Sequence, residues 1–269
     1  MIVVTGTMRS GTSMWMQILV GAGLLPIGEA FPAPWGEALK AANPRGFYES
    51  QLVAGIYYAT NPHPETGAYL APAATCEHVV KVFIPGLIRS DVAFLDRVIA
   101  TVRPWRQYAA SLARMKALAD TDREAALFDV PLHPGLRWWA ENFALIRDVA
   151  TRGYPAHVTT YDRLLERPAA EVDAVLSWIG RGDRTGALAA IDRELRTELA
   201  APEPAGVEPR HAAVFDELYD RIHRGQDLDE RFVALLNRTD AELRPHLVAA
   251  EQQARESVVQ GLAAAPSAP

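Results

Sequence analysis

Ile2-Val3-Val4-Thr5 runs straight into Gly6-Thr7-Met8-Arg9-Ser10-Gly11-Thr12-Ser13, and a stretch of helical periodicity, Thr12–Gly23, follows at once. An apolar run, a glycine-bearing loop and a helix start form the arrangement in which backbone N–H groups and a helix N-terminus hold phosphate-like anions. The same feature constrains the fold. A strand of this kind is buried on both faces, so it belongs in a parallel sheet covered by helices, with the loop at the sheet's edge. Glycines at such a turn also serve simply to bend a strand into a helix, so the loop alone does not carry a function. The spacing passes near the nucleoside-triphosphatase pattern Gly-x4-Gly-Lys-Ser/Thr, but Thr12 stands at the lysine position and Arg9 is the loop's one cation.

Three further apolar runs, His78–Phe83, Val98–Val102 and His157–Thr160, read as strands. Between them lie helical patterns at Tyr48–Ala59, Pro85–Asp96, Trp105–Ala119 and Leu136–Thr151, with another at Pro168–Ile179. The alternation predicts a three-layer α/β fold, a parallel sheet of four to five strands between helices, with additional C-terminal helices. Residues 1–200 are expected to form this domain, and residues 201–211, which open on three prolines and a glycine in Ala201–Arg210, a linker or loop. Residues 212–262 read as a helical extension packed on the domain, built from Ala212–Arg224, Asp229–Asn237 and Asp240–Gly261. Residues 263–269, all Ala, Pro and Ser, read as a disordered tail.

Composition narrows the function classes. The chain of 269 residues carries 33 Asp and Glu against 27 Lys and Arg, a net charge of -6, so a broad basic surface for nucleic acid is not expected and any anion recognition is local. Cys76 is the only cysteine and the seven histidines show no ligand spacing, so neither a disulfide framework nor a metal site is expected. A start directly in Ile2-Val3-Val4, with no run of about 18 apolar residues anywhere, points to a cytoplasmic protein without a membrane anchor.

Downstream segments add to the loop in a fixed order. The run Val98–Val102 ends in Arg103, with Ser111 eight positions on, and Val158-Thr159-Thr160 leads into Tyr161-Asp162-Arg163-Leu164. Asn43-Pro44-Arg45-Gly46-Phe47-Tyr48-Glu49 and His78-Val79-Val80-Lys81 lie between loop and strand. An arginine at a strand end and a serine two turns into the next helix suit one dianion, although an isolated Arg103 would read equally well as a surface ion pair. Together these segments resemble the sulfotransferase family that uses 3'-phosphoadenosine-5'-phosphosulfate (PAPS), in its bacterial form, over roughly Ile2 to Arg196. The resemblance implies that family's P-loop-like sheet fold, PAPS as donor with 3'-phosphoadenosine-5'-phosphate (PAP) as product, and no metal. It places Arg9, Ser10, Gly11, Thr12 and Ser13 on the 5'-phosphosulfate, Arg103 and Ser111 on the 3'-phosphate, Tyr161 by the adenine, and Arg9 and Lys81 as catalytic cations. Arg196, and Arg210 after it, are late basic residues within the reach expected of a 3'-phosphate contact.

One position departs from the family pattern. Phe83 stands two residues after Lys81, where cytosolic members carry a histidine base, so a carboxylate is expected to take that role: Glu49, or Glu29 in its place. Each also has an ordinary reading, Glu49 as a carboxylate at a helix N-terminus and Glu29 as a solvated loop residue. The acceptor is expected to be a small molecule with a hydroxyl or amine, in a pocket formed by Ile27–Pro72 and Ala119–Pro134. Phe31, Trp35, Phe47, Tyr57 and Tyr69 there favour an apolar alcohol or phenol over a polyanionic sugar. His63 reads first as a solvated loop residue and second as a lining residue of the acceptor site, and of Trp138 and Trp139 one reads as core and one as half exposed, with an aromatic acceptor platform as the alternative. The mixed-charge C-terminal helices read as an outer layer, a lid or a homo-oligomer contact. Two rival classes stay open: a nucleotide-binding member of the same fold without activity, and a P-loop kinase, which would want a strand-end Asp where Arg103 stands.

Overall fold

The computed structural model describes residues 1–32, 37–119, 121, 132–194 and 206–264, the side chains of 251 and 254–264 excepted. Arg196, Trp35, most of Ala119–Pro134 and residues 201–205 of the expected linker lie outside the described residues, as do 265–269 of the tail.

Five strands, β1 (Ile2–Thr5), β2 (Leu25–Ile27), β3 (His78–Lys81), β4 (Arg97–Val102) and β5 (Ala156–Thr160), form one sheet in the order β2-β3-β1-β4-β5. Every pairing is parallel, with Val4 opposite Lys81 and Ile99, and Val102 opposite Thr160. β1 takes the centre because Ile2, Val3 and Val4 are fully buried and present apolar groups to both helical layers. The chain winds first to one side of β1 and then to the other, which makes the carboxyl edge beside β1 the topological switch point, where open α/β sheets bind ligands.

Proline and glycine punctuate the helices. α1 (Thr12–Gly21) follows the loop, α2 (Glu37–Ala41), α3 (Ile84–Arg89) and α4 (Trp105–Ala117) come next, and Pro104 stands just before α4. α5 (Pro134–Arg152), α7 (Pro168–Ile179) and α9 (Pro209–Arg224) each open on proline and close on a left-handed glycine, Gly153, Gly180 and Gly225. Short helices α6 (Tyr161–Glu166) and α8 (Arg184–Ala189) complete the wrap, and α10 (Glu230–Ala264) ends it. The apolar side chains fall into three clusters, one on each face of the sheet and a third where α9 and α10 cover α4 and α5.

Several expectations need correction. Tyr48–Ala59 is not a helix; only Gln51–Ala54 makes a single 3-10 turn, because Tyr48 (φ 53) and Gly55 (φ 116) leave helical space at either side. The edge strand β2 was not anticipated. The two expected helices at 229–237 and 240–261 are one, which continues through Pro245. Trp138 and Trp139 are both fully buried, the latter stacked on Phe143 and Phe215.

Candidate functional site

Along the carboxyl edge of the sheet, chemistry-bearing residues stand at or just past the end of every strand. In spatial order they are Glu29 after β2, Lys81 ending β3, the glycine loop after β1, Arg103 after β4 and Tyr161 after β5.

The loop is built to present donors. Gly6 turns within contact of β4, where an added Cβ would come 2.5 Å from the Thr101 carbonyl oxygen. Ser10 is buried, its hydroxyl donating to the Thr7 carbonyl at 2.7 Å, while Thr101 donates to the Ser10 carbonyl at 3.1 Å. Ser10 thus fixes the loop's shape. Arg9 holds left-handed backbone (φ 69), an uncommon and costly conformation for a residue with a side chain. Gly11 (φ 102) is the N-cap of α1 and offers no side-chain cap, and the first turn holds no acidic residue, so its N–H donors face the loop without an anion of the protein's own. The Thr7 hydroxyl is buried without a hydrogen-bond partner among the described residues, another polar group of the same loop.

Arg103 and Ser111 are each joined to Arg9. Arg9 Nε donates to Ser111 Oγ at 3.2 Å, and an Arg103 nitrogen donates to the Arg9 carbonyl at 3.3 Å. Trp138 Nε1 holds the Arg103 carbonyl at 2.7 Å, and Arg103 Nε donates to Gln107. Burial first, then the neighbouring Arg103 and Arg114 guanidinium groups, push Arg9 down from the ordinary arginine value to about 10. This is the electrostatic mark of converging cations. Arg114 is a site residue that sequence reading missed; it lies three positions after Ser111, on the same helix face. Tyr161 is 8% exposed, with its ring against Gly11 and 5.1 Å from the Arg103 guanidinium. α9 supports this turn: Tyr219 donates to Asp162 at 2.7 Å and His223 bonds the Thr160 hydroxyl at 2.9 Å.

No protein-family model matches the chain, and no curated protein gives a significant match.

At the other end, Lys81 is 1% exposed and its ammonium donates to Glu49 Oε1 at 2.6 Å and to Ser13 Oγ at 3.3 Å. Burial lowers the Lys81 pKa while Glu49 opposes the shift, and the net direction is down. Phe83 and Phe47 lie 5.6 and 5.9 Å from the ammonium, so Phe83 walls the site while Glu49 supplies the carboxylate. Glu29 and Glu49 are joined by a two-way main-chain pair, Glu29 N to Glu49 O at 3.0 Å and Glu49 N to Glu29 O at 3.1 Å. Glu49 turns onto Lys81; Glu29 is exposed. Beside them opens a cavity of about 710 Å³ whose walls include Ile27, Leu52, Val53 and Leu70 together with both glutamates and His63. None of the expected aromatic residues with a described position lines it: Phe47 is core, and Phe31 and Tyr69 are exposed. Arg210 lies away from the edge and pairs with Glu208 and Glu242 on the helical layer.

Proposed function

We propose that the protein transfers a sulfuryl group from PAPS to a hydroxyl or amine of a small acceptor. The observation that carries this reading is the row along the sheet edge. A carboxylate on a buried lysine (Glu49, Lys81) sits beside a cation-bearing loop (Arg9), which is joined to a second arginine and a hydroxyl (Arg103, Ser111) and capped by an aromatic ring (Tyr161).

The donor set suits a reagent with one anionic group at each end of a nucleoside. Arg9, Ser13 and the first N–H groups of α1 address one anion, and Arg103 with the Ser111 hydroxyl addresses the other. Tyr161, packed on Gly11, offers a ring for a base to lie against. PAPS supplies the transferable sulfuryl group and a phosphate that leaves with negative charge. Arg9 and Lys81 are fixed cations where that charge develops, preorganised in a partly dry site. Glu49 faces the cavity and accepts the acceptor's proton, with Lys81 holding its carboxylate in place.

The test is incubation with sulfur-labelled PAPS and a panel of small alcohols, phenols and amines. Label should pass to at least one acceptor, and Arg9→Ala should reduce turnover by about a hundredfold or more. PAP binding without transfer to any acceptor would leave a nucleotide-binding protein without this activity.

A further inference from the structure

The cavity beside Glu49 has a charge pattern that the transfer chemistry does not require. Among its described lining residues there is no lysine or arginine, and its two acidic groups are Glu29 and Glu49. The other polar walls are already committed. Asn61 exchanges two hydrogen bonds with the Leu70 main chain at 2.9 and 2.8 Å, Thr60 Oγ1 donates to the Gly55 carbonyl at 2.7 Å, and Gln51 donates to the Thr60 carbonyl. His63 Nδ1 accepts from the backbone N–H groups of Glu65 and Thr66, so that nitrogen is taken as well.

Glu29 and Glu49 are direct partners in an antiparallel hydrogen-bonded pair, so their side chains leave the same face with Cβ atoms about 5 Å apart. Gly28 fixes this closeness, since an added Cβ there would meet the Glu49 main chain at 2.9 Å. Like charges directly opposed across strands repel. Lys81 neutralises Glu49 from below. The Glu29 carboxylate has no hydrogen-bond or ion-pair partner among the described residues, although the residue faces the same cavity.

We propose that Glu29 is a specificity residue that pairs with a cationic nitrogen of the acceptor, so that the preferred substrates are compact, otherwise apolar alcohols or phenols bearing an amine. This inference rests on the sulfuryl-transfer reading of the site. The hydroxyl lies on Glu49 and the ammonium on Glu29, while Leu52, Val53 and Leu70 pack the body between them. Anionic acceptors are disfavoured by both carboxylates.

Matched probes test it: tyramine, para-ethylphenol, which is the same ring and chain without the amine, and para-hydroxyphenylacetate, which carries a carboxylate. Binding of each to the PAP-loaded protein is measured by titration, with kcat/KM from PAPS alongside. Tyramine should be preferred over para-ethylphenol by about fivefold, an advantage that shrinks at high salt, with para-hydroxyphenylacetate weakest. Glu29→Gln should bring tyramine and para-ethylphenol level, and Glu29→Lys should favour para-hydroxyphenylacetate. Equal loss for all three probes in Glu29→Gln would make Glu29 a base or a structural carboxylate and overturn the proposal. So would no preference for tyramine, or no binding of it, in a protein that binds PAP normally; failure to bind PAP at all would instead overturn the reading on which the proposal rests.

Discussion

The Lys81 and Glu49 pair is where stability and chemistry meet at the level of single residues. Lys81 is 1% exposed and its carboxylate partner sits 2.6 Å away, so removing the carboxylate leaves a buried ammonium without a counter-charge. Glu49→Gln should lower unfolding free energy by about 3 kcal/mol and turnover by about a hundredfold or more. The double variant Lys81→Met with Glu49→Gln should regain most of the stability and none of the activity, as denaturant melts and single-turnover assays will read. Recovery of turnover in the double variant would deny both residues a part in the reaction. A sequence reader finds Lys81, Arg9 and Arg103 because each stands at a strand end or in the first loop. The partnership of Lys81 with Glu49 is not legible, because it spans 32 positions and depends on a main-chain pair between two loops. The hydrogen bond from Arg9 to the Ser111 hydroxyl is equally illegible, because it joins residues 102 positions apart.

Secondary-structure elements were most legible where proline and glycine mark their ends. Pro168 and Gly180 delimit α7 with no slippage, and the buried valines of β1, β3 and β4 announce central strands. Reading failed where tertiary contacts decide. β2 has three residues, with Leu25 and Pro26 exposed, and owes its existence to β3 rather than to its own pattern. Tyr48–Ala59 has helical spacing, yet Gly55 is pressed against the Gly86 carbonyl, where an added Cβ would sit 2.5 Å from the oxygen. A similar approach fixes α1 on α8, since a Cβ on Gly21 would come 2.6 Å from the Gly186 carbonyl. Gly21→Val should therefore destabilise the fold by about 2 kcal/mol and, by shifting α1, weaken anion binding at the loop. β5 and α7 are joined through Glu171, which is 2% exposed. Burial would raise its pKa, but His157, the Thr159 hydroxyl and the Arg163 guanidinium pull it from 4.5 down to about 2. A carboxylate depressed in the folded state gives stability that is full above 4.5 and is lost as pH falls towards about 2. Glu171→Gln should flatten the acid limb of a stability-versus-pH profile over that window; an unchanged slope would assign acid sensitivity to other groups.

Over the whole molecule, the C-terminal helices close the core and steady the Arg103 and Tyr161 end of the edge. Phe215 of α9 is fully buried between Trp105, Trp138 and Trp139, and Trp138 in turn holds the Arg103 carbonyl. Phe215→Ala should cost about 4 kcal/mol and loosen Arg103 at the same time. The chain's charge of -6 coexists with a row of cations at one sheet edge, so recognition depends on placement and not on net charge. The most direct measurement is calorimetric titration with PAP beside AMP and ATP–Mg²⁺, repeated with Arg103→Ala. The account predicts that PAP binds more tightly than AMP, because Arg103 and Ser111 address the extra 3'-phosphate, and that Arg103→Ala erases most of that difference. Equal binding of PAP and AMP, or tighter binding of ATP–Mg²⁺, would contradict it.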